Sequence, residues 1–267
     1  MPQSYNNKIL YSHRVDEKNP GDMYSTSKEY FPLHKHHQTC DVFKFKSNEQ
    51  IKGKFAAHIT GGGDILVSDK WYNYITEITK WANAPLNVVW GAGVNLEHSK
   101  IIDHLNKYYK LIGTRTYSTN YPSSKFEFVP CASVMNKLLD KEYKLQNEVI
   151  VINHFKRNVK GLPNNDWLQF TNRQYNIETM IKHIGSAETV VTNSYHAAYW
   201  AMLLNKKVYS YIEQDDCKLS TFKHKPIYFK EDSPPSFDET KIDYSDMKQE
   251  YRELNNNFFN KVLNEYS

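Results

Sequence analysis

The sequence predicts an α/β fold in two lobes, and three observations carry that reading. Short β-branched runs recur along the chain, each followed by a turn bearing glycine or asparagine and then by a helix-forming stretch. The clearest case is the segment from Glu188 to Tyr211: 189–192 reads as a short buried strand, Asn193 and Ser194 are N-capping residue types, 197–204 is strongly helix-forming, and 208–212 reads as the next strand. Finally, 267 residues suffice for one large domain or two small ones, and a linker-like Tyr121-Pro122-Ser123-Ser124 falls near the middle. The expected division is residues 1–122, residues 123–235, and a C-terminal helix in 236–267 packing back on the lobes.

Charge and composition exclude several function classes. Lys and Arg total 34 against 30 Asp and Glu, a formal net charge of +4, and the basic residues are scattered among acids. Nucleic-acid binding would need a concentrated basic face; this balance suits an anionic small molecule or an anionic membrane surface. A mean hydropathy of −0.71 with 14% aromatic residues implies a polar surface around an aromatic interior. No stretch approaches the roughly 20 apolar residues that span a bilayer. The opening residues, Met1 to Lys8, resemble neither a secretory signal nor a transit peptide, so the cytosol is the expected compartment. Cys40, Cys131 and Cys217 are odd in number, far apart and without a CxxC pair, which argues for reduced thiols.

In chain order, 8–14 reads as the first strand, and Asn19-Pro20-Gly21-Asp22 as a turn before a helix at 24–31. The His34-Lys35-His36-His37 stretch with Cys40 and Asp41 has no metal-site spacing and reads as a solvated connection. A strand at 55–60 runs into Gly61-Gly62-Gly63, where the backbone can approach a ligand or another element, and 65–81 follows as a helix. A strand at 87–90 ends at Gly91-Ala92-Gly93-Val94-Asn95. Strand-like 107–112 precedes Arg115, whose guanidinium suits either bidentate recognition of a carboxylate or phosphate, or a surface ion pair. The second lobe is expected to open with a strand at 126–129 and a helix through Leu139. The apolar strand 148–153 ends at His154-Phe155-Lys156-Arg157, which is either a solvated loop or an anion-facing one, and 176–184 reads as a helix. His196 falls in the first turn of the helix after Ser194, where free N–H groups and the positive dipole end form an anion site. Acid/base work is one reading of His196; capping or packing is the other. Residues 243–266 form an amphipathic terminal helix.

The order and spacing of these pieces resemble the polysaccharide pyruvyl transferase family, especially its small xanthan- and succinoglycan-type ketal pyruvyl transferases. Asn19-Pro20-Gly21-Asp22 is similar to the family's N-x-G-D, Gly61-Gly62-Gly63 to its glycine turn, and Val89-Trp90-Gly91-Ala92-Gly93-Val94-Asn95 to its W-G-[SA]-G motif. Arg115 falls where the family has an arginine, Val151-Ile152-Asn153-His154-Phe155 resembles its second-lobe strand, and Thr192-Asn193-Ser194-Tyr195-His196 its S-x-[LM]-H helix start. Two departures stand out. Tyr195 replaces the usual Leu or Met, and Val129-Pro130-Cys131-Ala132 lacks the acid of a common Gly-Asp-Pro.

The resemblance implies two Rossmann-like lobes with an interlobe cleft, as in GT-B glycosyltransferases, the first lobe on the acceptor side and the second on the donor side. It implies transfer of an enolpyruvyl group from phosphoenolpyruvate to two hydroxyls of a sugar, giving a pyruvate ketal and phosphate. His196 would move protons, and Asp22 would either steady the oxocarbenium-like centre or bind the acceptor sugar. Arg115, Asn193, Ser194, His154, Lys156 and Arg157 would hold the donor, and Asn19, Gly21, Gly61, Gly62, Gly63, Gly91, Gly93 and Asn95 would serve the acceptor or close backbone approach. The scheme requires no metal or cofactor, and its acceptor is a lipid-linked repeat unit of a surface polysaccharide, met at the cytoplasmic face of the inner membrane. The rival readings are a nucleotide-sugar glycosyltransferase on the same architecture and a non-catalytic sugar-binding relative.

Overall fold

The computed structural model describes residues 8–46, 51, 53–164, 166–173, 176–213, 217–237 and 240–266. The reading of the N-terminal segment from Met1 to Asn7, and that of the Cys217 thiol, therefore lie outside the described residues.

The chain divides into two compact units. The first comprises Met1–Asp16, Asp22–Ser133 and Glu253–Ser267, the second Glu17–Gly21 and Val134–Arg252. The first contains a six-stranded parallel sheet built from β1 (Ile9–His13), β2 (His37–Asp41), β3 (Ala57–Gly61), β4 (Leu86–Ala92), β5 (Leu111–Thr114) and β6 (Phe126–Phe128), in the order β2-β1-β3-β4-β5-β6. The second contains a five-stranded parallel sheet of β7 (Asn147–Asn153), β8 (Leu168–Thr171), β9 (Ala187–Thr192), β10 (Lys207–Tyr211) and β11 (Ile227–Phe229), in the order β11-β10-β9-β7-β8. Counted from its own first strand, the second order repeats the first. Both are the doubly wound order of flavodoxin-like sheets, a Rossmann-like arrangement in which ligands bind beyond the carboxyl ends of the strands where the order reverses. That point lies between β1 and β3 in one unit and between β7 and β9 in the other.

The strands are buried on both faces, which is why they read as continuous apolar runs: β3 is buried at all five positions and β4 at six of seven. Helix α2 (Asp69–Ala82) follows β3 and buries Ile75, Ile78, Thr79 and Ala82, spaced to make a single stripe. Helix α3 (Ser99–Tyr108) buries Ile101, His104 and Leu105 in the same way. Burial of each such isoleucine contributes about 1.5–3 kcal/mol. In the second unit α4 (Ile177–Gly185) is capped by Asn176, whose side chain accepts from the Thr179 N–H, and α5 (Tyr195–Leu203) is buried around most of its circumference. A short α6 (Cys217–Ser220) precedes β11. Among the described residues no helix is long and apolar enough to cross a membrane.

Several expectations need correction. Asn-Pro-Gly-Asp is the start of a helix, α1 (Pro20–Tyr24), because the Asn19 side chain accepts from the Gly21 N–H at 3.1 Å and proline is well suited to a first helical position. His37–Asp41 is a strand paired with β1, and not a solvated connection; Cys40 is buried in it. Residues 107 and 108 end α3, so the strand there begins only at Leu111.

The largest correction concerns the domain boundary. Residues 121–126 are a pinned turn: Ser123 Oγ donates to Asn106 Oδ1 at 2.6 Å, and the Lys125 ammonium donates to the Asn106 and Tyr109 carbonyls. That turn delivers β6 to the edge of the first sheet, where it pairs with β5, so the boundary falls after Ser133. Helix α7 (Met247–Tyr266) is likewise shared. Its first turns belong to the second unit, where Arg252 makes a bidentate pair with Asp140 at 2.8 and 3.0 Å. Its remainder belongs to the first unit, where Asn255 accepts from the Trp90 indole N–H at 3.0 Å.

Candidate functional site

In the first unit the loops at the β1/β3 switch point carry a compact set of charges. Arg14, directly after β1, donates to Asp41 at 2.7 Å and lies 3.4 Å from Asp16. Beyond β3, Asp64 accepts from Arg115 at 2.7 Å, and Arg115 follows β5 with only 2% of its side chain exposed. Asp22, in α1, belongs to the same field. Burial, more than anything else, raises its carboxyl to about 6; Arg14 and Arg115 oppose the rise, and Asp16 and Asp64 add to it. A carboxyl so placed exchanges its proton close to neutrality.

The glycines of this unit serve two purposes. A Cβ on Gly93 would stand 2.2 Å from Asp64 Oδ1, so the W-G-A-G motif leaves room for the acid that pairs with Arg115. Gly61 lies against the Trp90 carbonyl, Gly62 against Ser25 and Gly91 near the Pro130 carbonyl, all of them approaches of backbone to protein. At Gly63 a Cβ would meet only ordinary contacts, Asp22 Oδ1 at 3.8 Å and Ile65 Cγ2 at 3.9 Å. Asn95 is a turn-former, accepting from the Glu97 N–H at 3.0 Å. Trp90 of the same motif is fully buried.

In the second unit the switch point joins the turn after β7 to the start of α5. Asn193 was expected to cap the helix; instead it ties the two together, its Oδ1 accepting from the His154 N–H at 2.6 Å and its Nδ2 donating to the Arg157 carbonyl at 2.9 Å. Ser194 occupies the N-cap position without a side-chain cap bond, leaving amide groups at the helix start uncapped by it. Asn172, after β8, accepts from the Phe155 N–H at 2.8 Å, and Asn153 accepts from the Val159 N–H at 2.7 Å. Three asparagines from three strand ends thus fix one turn. On it, Lys156 is exposed and Arg157 pairs with Glu213 at 3.0 Å. His154 is lowered to about 4, by burial first and then by Lys218, Arg157, Lys156 and Arg173, so it is neutral at physiological pH.

His196 stands in the first turn of α5, partly exposed, with its ring 5.5 Å from that of Trp200. Its Nδ1 lies 2.3 Å from where a Cβ on Gly21 would be, and its Cγ 2.7 Å away. Two motifs separated by 175 positions therefore meet within the second unit, and only glycine at 21 admits the ring. The sequence of motifs, their placement at both switch points and this contact agree with one assignment. The profile of the polysaccharide pyruvyl transferase family matches residues 7–215. The chain belongs to that family.

The fold has a counterpart among solved structures. A functionally uncharacterised protein of Klebsiella pneumoniae is similar with a TM-score of 0.50 at 14% identity, over 78% of this chain and 84% of that one. No curated protein matches. Two cations that no motif marks, Arg173 and Lys218, are among the charges that lower His154. Arg173 follows β8 as Arg115 follows β5, but that edge strand is largely exposed and carries no apolar run to mark it. Lys218 follows the strand β10 at greater distance and carried no comparable signal. Among the described residues, no three His, Cys, Asp or Glu side chains gather as a metal ion would need.

Proposed function

We propose that this family member transfers the pyruvyl group of phosphoenolpyruvate to two hydroxyls of one sugar in a surface-polysaccharide repeat unit. The methylene carbon of the donor takes up a proton while one sugar oxygen bonds to the neighbouring carbon and gives up its own. The bond from that carbon to the phosphate oxygen then breaks, phosphate leaves, and the second hydroxyl closes the ketal and releases its proton. No electrons are gained or lost.

The single observation that carries this reading is the packing of His196 on Gly21, which joins the family's histidine to its N-x-G-D motif. His196 is the proton carrier at the methylene carbon and the hydroxyls. Asp22 follows Gly21 directly, and its carboxyl, ionising at about 6, suits the stabilisation of a cationic centre above that pH. Arg115, buried and committed to Asp64, sets the charge around Asp22; in this reading it positions that field, and the cations beside α5 take the donor. The lipid-linked acceptor, the cytoplasmic membrane face and the absence of any cofactor requirement belong to the same proposal.

The test is release of phosphate from phosphoenolpyruvate, with mass-spectrometric detection of the ketal, over a panel of lipid-linked and synthetic oligosaccharides. Acceptor-dependent release abolished in His196→Ala and reduced in Asp22→Asn is the expected result. Release with no acceptor dependence, or turnover of a nucleotide sugar in its place, would overturn the assignment.

A further inference from the structure

From Thr189 to Leu203 every residue is buried except His196. The strand end and the helix that follows it are therefore core on all sides, and a helix so apolar has no polar face of its own on which a histidine would ordinarily lie. A lone imidazole at the border of that core takes its orientation from what packs against it.

Three contacts bound the His196 ring. Gly21 lies on one side, leaving no room for a methyl group beside Nδ1 and Cγ. The Tyr195 ring meets it edge-on, with centroids 5.4 Å apart at 82°, and is itself stacked on Phe222 at 4.4 Å and 17°. The Trp200 indole, its centroid 5.5 Å away and its plane tilted by 35°, forms the third wall. Residues four apart share a helix face, and helical side chains lean toward the N-terminus, so residue 200 covers the turn that carries residue 196. Trp200 and Tyr195 are 2% and 5% exposed, which holds both rings where they are. An aliphatic side chain at 200 would also fill core, but it would be shorter than the indole and would lack the negative π face that favours a cation within about 6 Å of the ring centre. An imidazole that takes up a proton becomes such a cation.

We propose that Trp200 is a positioning residue for His196: its indole keeps the imidazole against Gly21 and faces the charge that the ring carries between proton uptake and release. The inference deepens the pyruvyl-transfer reading, on which its kinetic consequence rests, while the packing of Trp200 on His196 is measurable without any substrate. Trp200, buried in the core, meets neither donor nor acceptor and acts only through the histidine.

The full-length wild type, Trp200→Leu and Trp200→Phe are compared in two measurements, with melting curves to establish that each is folded at the assay temperature. In the first, the ring protons of His196, assigned by their loss in His196→Gln, are followed by NMR without ligand. The indole ring current is expected to set their shifts, so they move in Trp200→Leu and move less in Trp200→Phe. In the second, phosphate release and ketal formation are followed over a range of phosphoenolpyruvate concentrations. Freeing the ring by about 1 Å is expected to lower kcat on the order of 100-fold in Trp200→Leu with the donor KM little changed, and phenylalanine recovers much of that loss. His196 signals identical in the wild type and the folded leucine variant, ketal formation at an unchanged kcat in that variant, or a loss confined to KM would overturn the proposal. If the leucine variant melts below the assay temperature, Trp200→Phe carries both readouts against the same criteria. Displaced His196 signals, with no ketal formed by the wild type from any acceptor, would leave Trp200 as the wall of the ring and sink the pyruvyl-transfer reading.

Discussion

Arg115 donates from Nη2 to Asp64 Oδ1 over 2.7 Å, and the arginine is almost wholly buried whereas the aspartate keeps 26% of its side chain exposed. Removing the acid takes the neutralising carboxylate from a buried guanidinium, while removing both partners does not leave that charge behind. Asp64→Ala is therefore expected to cost about 2–3 kcal/mol, below the full penalty of a completely buried pair because water reaches Asp64. The Asp64→Ala/Arg115→Met double variant should cost less than the sum of the single changes. Urea unfolding measures both. Asp64 also helps to raise Asp22, so the Asp22 titration, followed by carboxylate NMR in Asp64→Ala, should move below about 6.

Gly21→Ala tests the contact that joins the two motifs. The added methyl would overlap the His196 ring, with Nδ1 only 2.3 Å from it, so the ring must turn or α1 must shift. Gly21 is not among the glycines of positive φ, which makes the effect steric and separates it from backbone strain. Displacing a reacting group by about 1 Å can cost on the order of 100-fold in rate. Phosphate release should fall by about that factor while the melting temperature changes little, and an unchanged rate would detach His196 from the chemistry.

What was legible in the sequence follows from which forces act locally. The apolar runs of β3, β4, β7 and β9 and the stripe of α2 were plain because burial on a parallel sheet leaves a continuous or 3.6-residue pattern. β2 and β8 were not, since they are edge strands: His37 is exposed, and so are Leu168 and Gln169, which removes the apolar signal and leaves pairing with β1 and β7 to define them. Helix α3 is weakly marked in the sequence: Ile101 and Leu105 are spaced for one face, but lysine, aspartate, histidine and asparagine fill the positions between and around them and no N-capping side chain announces its start. In the sites, residue type and motif make His196 and Asp22 candidates, but the partners of Asn193 and Arg115 lie 39 and 51 positions away and are beyond the reach of spacing.

Asn255 is a buried polar residue in the middle of α7, and its place is explained by two partners. Its Oδ1 accepts from the Trp90 indole N–H and its Nδ2 donates to the Pro130 carbonyl at 3.2 Å. Asn255→Leu leaves both groups without their hydrogen bonds in a dry site, and each such loss costs about 1–3 kcal/mol. Chemical denaturation should show the variant destabilised by about 2–4 kcal/mol, whereas substitutions at the exposed neighbour Asn256 should stay within about 0.5 kcal/mol.

The dependence of stability on pH follows from groups of opposite sign in the first unit. His13, His58 and His104 are each lowered to about 4, chiefly by burial, from an ordinary value of 6.5. Between those limits the unfolded chain binds the protons, so the stability they contribute is complete above about 6.5 and lost as pH falls through about 4. Asp22 runs the other way: raised to about 6 from 3.8, it contributes stability that is complete below 3.8 and lost as pH rises through about 6. Each group is worth at most roughly 3 kcal/mol, so three histidines outweigh one carboxyl. His58 has the deepest commitment, with Nε2 2.7 Å from Ser12 Oγ and Nδ1 3.3 Å from Asn87 Oδ1, and Asn87 Nδ2 already donates to two carbonyls, which leaves its Oδ1 to accept and the Nδ1 proton on the histidine. Unfolding free energy should rise between pH 5 and 7, and Asp22→Asn should be more stable than the wild type at pH 7 by up to about 3 kcal/mol with the gap closing towards pH 4. Urea titrations at half-unit pH intervals measure both curves; a wild-type stability that falls as pH rises from 5 to 7 would mean that at least one of the three buried histidines is charged in the fold.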